Sequence, residues 1–241
     1  ALCVQGTYQA DNHIQVQGSV QSLPLSLLSP LTGPDFTLEG RLEATVAIEG
    51  SIDNPQGELH AQTQGASISV NAQDAPPPLD IHTLSVHSQL KNRQLDSQLQ
   101  LASSLGEARA TLRHGLQADS PVQGNVNLML HSLGIIELFT ADLRDIEGTL
   151  RADVELAGSL RAPHIDGQIQ LLNGQALVPA LGTAISDVTL VLSGSPDGDI
   201  AVNGQAIMGD GKATLSGSIQ PHPWPLSLSL TVSGQNLLVA N

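Results

Sequence analysis

The chain has 241 residues, of which 40% are hydrophobic and only 2% aromatic, and its formal net charge is −14. A polypeptide this acidic does not accumulate on phosphate backbones or anionic head groups, which argues against nucleic-acid binding. The single cysteine, Cys3, excludes an internal disulfide. The sequence contains no run of about 20 apolar residues, which a membrane-spanning helix would need.

The apolar residues are mostly Leu, Val, Ile and Ala, since the whole chain contains one Trp, one Tyr and two Phe. A compact core usually contains several large aromatic side chains. The composition therefore favours an elongated body of many similar layers over one thick core. The chain also begins at Ala1 within a β-like pattern and without an initiator Met, so we expect a segment of a larger protein.

Apolar and polar residues alternate with a period of two, which predicts strands with one apolar and one polar face. In chain order the alternation occurs at 14–16, 42–48, 99–101, 108–112, 126–130, 150–156, 169–171, 188–192, 200–202 and 226–232. Glycines such as Gly40, Gly50 and Gly57 recur about every 8–12 residues, which is typical of short strands joined by tight turns. Buried parallel strands would be continuously apolar. We therefore predict an antiparallel meander of on the order of 14 strands.

Two segments depart from the alternation and predict short helices. Residues 23–28 contain Pro24 at an early position that helices tolerate. Residues 132–143 have apolar side chains at helical spacing, among them Ile136 and Phe139, and Ser132 is a candidate N-cap.

The chain repeats itself at an offset of 108 residues, from Gly40 to Gly148. The segment GRLEATVAIEGSI at 40–52 recurs as GTLRADVELAGSL at 148–160, and a proline follows each copy. We expect one elongated β domain over 1–241 with approximate internal repeats at 25–112 and 133–215. Each repeat would be a sheet segment whose apolar face has to be shielded from water. A single-layer sheet can shield this face by curling into a U.

The pattern G-x-L-x-A-x-V-x-[IL]-x-G-S-[IL]-x-x-P at 40–55 and 148–163 resembles the TamB family of AsmA-like proteins. The segments 173–190 and 204–217 extend the resemblance. It implies an all-β fold, an elongated curled antiparallel sheet (β-taco) with an apolar interior groove. It also implies a periplasmic location, within a parent protein anchored in the inner membrane of a Gram-negative bacterium. The implied partner is an outer-membrane protein of the Omp85 type, TamA, and the implied role is outer-membrane protein insertion, phospholipid transfer, or both.

Apolar side chains at alternate positions would line this groove and shield phospholipid acyl chains. The lining residues that we expect are Leu42, Val46, Ile48, Leu150, Val154, Leu156, Ile169, Leu171, Leu190, Leu192, Val202, Leu228 and Leu230.

Other interpretations stay open. The apolar stripe could close on itself as the dry core of a sandwich or barrel. An exposed sheet edge could pair with strands of outer-membrane β-barrel clients, as in an assembly scaffold or chaperone. A surface adhesin would bind ligands on the polar face. An enzyme is the least supported class, because no catalytic constellation has workable spacing.

The eight histidines give no metal site by their spacing. His82 and His87 are five residues apart and would face opposite sides of a strand. Asp197 and Asp199 could offer oxygens to calcium, but calcium needs about 6–8 and no second cluster is seen. Trp224 could anchor a partner, although such residues more often pack over a turn. We expect no catalytic residue, no metal and no cofactor.

Overall fold

The structure is a computed structural model that describes residues 2–8, 12–33, 35–71, 77–117, 119–138, 140, 142–159, 161, 163–194, 198–220 and 226–236. Phe139, Asp197 and Trp224 lie outside the described residues. The chain divides into two units: the first is Ala1–Gly124 with Gly158–Arg161, and the second is Asn125–Ala157 with Ala162–Asn241.

The strands of the first unit lie in the sheet in chain order, each antiparallel to the next. They are β1 (Leu2–Tyr8), β2 (His13–Pro24), β3 (Phe36–Ser51), β4 (Asn54–Val70), β5 (Leu79–Lys91), β6 (Gln94–Ser103) and β7 (Gly106–Gly115). Between β2 and β3 come a 3-10 turn at Leu25–Leu28 and a single α-helical turn at Ser29–Thr32. Strand β8 (Val122–Leu130) contributes residues to both units.

The second unit has the same meandering order. Its strands are β9 (Arg144–Gly158), β10 (Pro163–Val178), β11 (Thr183–Gly194), β12 (Ile200–Met208), β13 (Gly211–Gln220) and β14 (Ser227–Gln235). The pairs from β10 to β14 are antiparallel. A 3-10 turn at Gly134–Leu138 precedes β9, and another at Pro179–Leu181 joins β10 to β11. None of the helical turns among the described residues has the length and apolarity to cross a bilayer.

The predicted fold class is confirmed: the chain is an all-β antiparallel meander with short helices. The helix boundaries differ in detail, because residues 23 and 24 complete β2 and the turn begins at Leu25. At the second helix, the Ser132 hydroxyl accepts a hydrogen bond from the Gly134 N–H at 3.3 Å. Leu133, which precedes this turn, is buried, whereas Ile136 is 38% exposed.

Both predicted repeats contain helical structure followed by five strands, and in the second repeat a further 3-10 turn separates β10 from β11. Gly40 in β3 and Gly148 in β9 have positive φ angles of 113° and 138°. A Cβ atom on Gly40 would lie 2.7 Å from the Ala66 Cα, and one on Gly148 would lie 3.0 Å from the Gly174 Cα. Both positions need glycine, because the backbone is left-handed and the next strand is close. The division into one domain with two repeats stays a prediction.

The buried core is thin. The buried apolar residues of the described chain are Ala66, Leu79, Val122, Leu133, Ile146, Ala152 and Val202. Among the described residues, no large side chain is less than 2% exposed. In each unit most apolar side chains are therefore half-buried, which is typical of a sheet whose faces are partly accessible.

Candidate functional site

The strand register of the first unit collects apolar side chains on one side of the sheet, which we call the apolar face. Directly paired residues of antiparallel strands point to the same side. One row of paired residues contains Val20, Ala44, Ala61, Val86, Leu99 and Ala110. A parallel row contains Leu42, Thr63, Leu84, Leu101 and Ala108. The apolar residues that alternate along each strand therefore line up from strand to strand and form continuous apolar rows.

The second unit has its own apolar face, built in the same way. One row contains Ile169, Leu192, Val202, Gly217 and Leu230. The adjacent row contains Leu171, Leu190, Gly204, Leu215 and Val232.

Most of the residues expected to line a groove lie in or beside these rows. Leu42, Val46 and Ile48 occupy alternate, half-buried positions of β3. Leu150, Val154 and Leu156 do the same in β9. Ile169, Leu192, Val202 and Leu230 share one row, Leu171 and Leu190 share the next, and Leu228 pairs with Ile219. The structure brings the β3 side chains onto the apolar face of the first unit and those of β10 to β14 onto the apolar face of the second, and the role of all these residues as a lining stays a prediction.

The apolar face of the second unit becomes more accessible toward β14. Val202 is 4% exposed, whereas Leu230 is 43% and Val232 is 70% exposed. A cavity of about 190 Å³ opens where the small residues Gly204, Ala206 and Ala213 lie beside larger ones. It is smaller than a typical small-molecule pocket of about 300–1,000 Å³. This face therefore offers a shallow apolar surface and not an enclosed ligand site.

Polar side chains interrupt the apolar face of the first unit at two places. The hydroxyls of Ser88 and Ser97, which are paired across β5 and β6, lie 2.9 Å apart and satisfy each other. The Thr63 hydroxyl oxygen is buried and has no hydrogen-bond partner among the described residues. Sequence reasoning missed both features, because it followed the apolar positions of single strands.

The opposite, polar face carries the charged groups. Arg113 forms an ion pair with Asp96, and Gln62 donates a hydrogen bond to Glu43 at 3.0 Å. Glu58, His60 and His87 lie on this face, and one potential ligand atom from each lies within 4.8 Å of the others. Histidine spacing along a single strand could not predict this cluster, because His60 and His87 are paired across β4 and β5.

Comparison with known protein families gives a match. The family model described as TamB, N-terminal domain, matches residues 1–171, which is more than two thirds of the chain. The matched region includes the whole of β1 to β9 and the first part of β10. No solved structure matches the chain.

Proposed function

The chain belongs to the TamB family, and on this premise we propose that its apolar face shields phospholipid acyl chains between the inner and outer membranes. TamB proteins are anchored in the inner membrane, span the periplasm and act with TamA in outer-membrane assembly. This chain would be a periplasmic segment of such a protein. The proposal assigns it no catalytic step and no cofactor.

The observation that carries the proposal is the continuity of the apolar rows together with their partial exposure. An acyl chain laid along such a row would leave water and gain about 0.8 kcal/mol for each buried methylene group. A chain of about 16 carbons would gain about 13 kcal/mol before the entropic cost of ordering is subtracted. Because successive strands offer similar aliphatic side chains, this energy would change little from site to site. Lipid could then move without nucleotide hydrolysis by this segment.

Site-specific photocrosslinking in the parent protein tests the proposal. A photoreactive amino acid at Leu192 would lie on the apolar face, in the row with Ile169 and Val202. The matched control is Val191, the preceding aliphatic residue, which pairs with Gln170 and Asn203 on the opposite face. We expect phospholipid adducts at 192 to exceed those at 191 severalfold. Equal yields at the two positions would refute a lipid path along this face.

A second candidate function rests on β14. All residues of this strand are exposed, and within the described part of the second unit it pairs with β13 alone. Backbone groups at an exposed strand edge can pair with an incoming strand of an outer-membrane β-barrel client. A photoreactive residue at Ser229 would then capture such clients. Capture there, without lipid adducts at 192, would favour an assembly scaffold over a lipid path.

A further inference from the structure

Glu58, His60 and His87 form a cluster on the polar face of the first unit, and we propose that this cluster binds a divalent transition-metal ion, with zinc as the probe. Glu58 and His60 are two residues apart on β4, so their side chains point to the same side of the sheet. His87 on β5 is the direct cross-strand partner of His60. Three residues with metal-ligating side chains therefore meet on two neighbouring strands.

The distances within the cluster fit a single ion. The Glu58 Oε1 lies 3.3 Å from the His60 Nε2 and 3.7 Å from the His87 Nε2. Two ligand atoms bound to tetrahedral zinc at about 2.0–2.1 Å lie about 3.3 Å from each other. One potential ligand atom from each side chain already lies within 4.8 Å of the other two. Small side-chain rotations would bring all three onto one ion.

The two imidazole rings are held against each other. Their Nδ1 atoms are 3.1 Å apart, their centroids are 4.1 Å apart, and the ring planes are tilted by 37°. A neutral imidazole has one N–H donor and one acceptor nitrogen, so the close Nδ1 contact requires a proton on one of these two atoms. The Glu58 contacts of 3.3 and 3.7 Å are made to the Nε2 atoms, so the carboxylate contacts and the ring–ring contact use different nitrogens. For one ion to bind Glu58 and both rings, at least one ring would turn and give up the Nδ1 contact.

The ligand set selects the class of metal. Imidazole nitrogen suits zinc, copper and nickel, whereas calcium and magnesium prefer oxygen ligands alone. Two imidazoles and one carboxylate are also a known zinc-binding combination that leaves a fourth position for water. We therefore assign the cluster to a late first-row divalent ion with an open coordination position.

The surroundings of the cluster favour a cation and leave it accessible. In the sheet, Thr45 and Gln98 flank the two histidines, and Ala47 and Gln89 flank Glu58, so these four positions carry no charge that competes with an ion. The side chains of His60, Glu58 and His87 are 57%, 49% and 36% exposed. A cavity of about 330 Å³ beside Glu58 and His60 gives room for water ligands. The net charge of −14 further attracts cations to the protein.

Calorimetric titration of the untagged chain with zinc, after chelator treatment, tests this inference. We expect one site with a micromolar dissociation constant in the wild type. Glu58→Gln and His87→Gln should each weaken it at least tenfold, because each removes one ligand. Both residues are substantially exposed, so the variants should keep the wild-type circular dichroism spectrum.

The matched control is His82→Gln, which removes an exposed histidine from β5, the strand of His87, and leaves the three cluster residues unchanged. It should bind zinc as tightly as the wild type. Tetrahedral cobalt absorption in the wild type, lost in Glu58→Gln and His87→Gln and kept in His82→Gln, would support the site independently. If the cluster variants bind zinc like the wild type, or if His82→Gln weakens binding equally, the cluster is only a hydrogen-bonded surface feature and the inference is wrong. This test is independent of whether the apolar face carries lipid.

Discussion

Thr63→Val should stabilise the first unit. Thr63 lies on the apolar face between Leu42 and Leu84, is 4% exposed, and has a buried hydroxyl without a hydrogen-bond partner among the described residues. Valine has nearly the same shape and replaces this hydroxyl with a methyl group. The change therefore removes a desolvated polar group and leaves the packing almost unchanged.

The expected gain is about 1–2 kcal/mol. A buried polar group without a hydrogen bond costs about 1–3 kcal/mol in proteins. Valine also favours strands at least as well as threonine does. We take the lower part of this range as the expected gain.

Urea denaturation followed by far-ultraviolet circular dichroism measures this change. The midpoint should rise while the m-value stays constant, since the surface exposed on unfolding does not change. Thr183→Val is the matched control, because Thr183 is also buried, at 6% exposure, but is not without a partner. It should lower the midpoint by an amount equivalent to about 0.5–1.5 kcal/mol. A lower midpoint for Thr63→Val, or the same change in both variants, would refute the assignment of an unsatisfied hydroxyl.

Three further substitutions, two of them with a control variant, test the fold and the apolar face. Gly40→Ala should destabilise by about 2 kcal/mol or more in the same urea assay, because φ is 113° and the new Cβ would lie 2.7 Å from backbone of the next strand. Gly6→Ala, whose Cβ would have its nearest neighbour at 3.8 Å, should stay within about 0.5 kcal/mol. Leu133→Ala should lower the free energy of unfolding by about 2–4 kcal/mol, because Leu133 is 4% exposed. The control is Leu27→Ala, because Leu27 is 62% exposed. An equally small loss in both variants would contradict the place of Leu133 in the core. Val154→Arg should reduce the phospholipid that copurifies with the protein by on the order of tenfold, as measured by mass spectrometry. The reason is that a charge beside an acyl chain costs at least about 1.4 kcal/mol. Undiminished lipid would exclude Val154 from the lining.

The strands could be predicted from the sequence because their signal is local. The alternation along 42–48 requires neither a partner strand nor a loop conformation to be recognised, and β3 shows it as alternating exposed and half-buried positions. The same argument placed Val154 and Leu192 on strand faces. The prediction of a helix at 132–143 was less accurate, because its buried residue, Leu133, is defined by its position beside the strand residue Gly148 and not by helical spacing. A Cβ atom added to Gly148 would lie 3.1 Å from the Leu133 Cδ1.

The relation between strands could not be predicted in this way, because pairing depends on contacts between residues far apart in the chain. The alternation of β4 and that of β5 each fix two faces, but neither fixes which residue lies opposite which. Turns and bulges set that register, and a shift of one residue would turn every side chain of a strand to the other face. The pairing of His60 with His87, the contact between Ser88 and Ser97, and the isolated hydroxyl of Thr63 all depend on it. The composition and period of this chain therefore determine an antiparallel sheet with an apolar and a polar face, whereas the side chains that meet on each face are determined by long-range hydrogen bonding between strands.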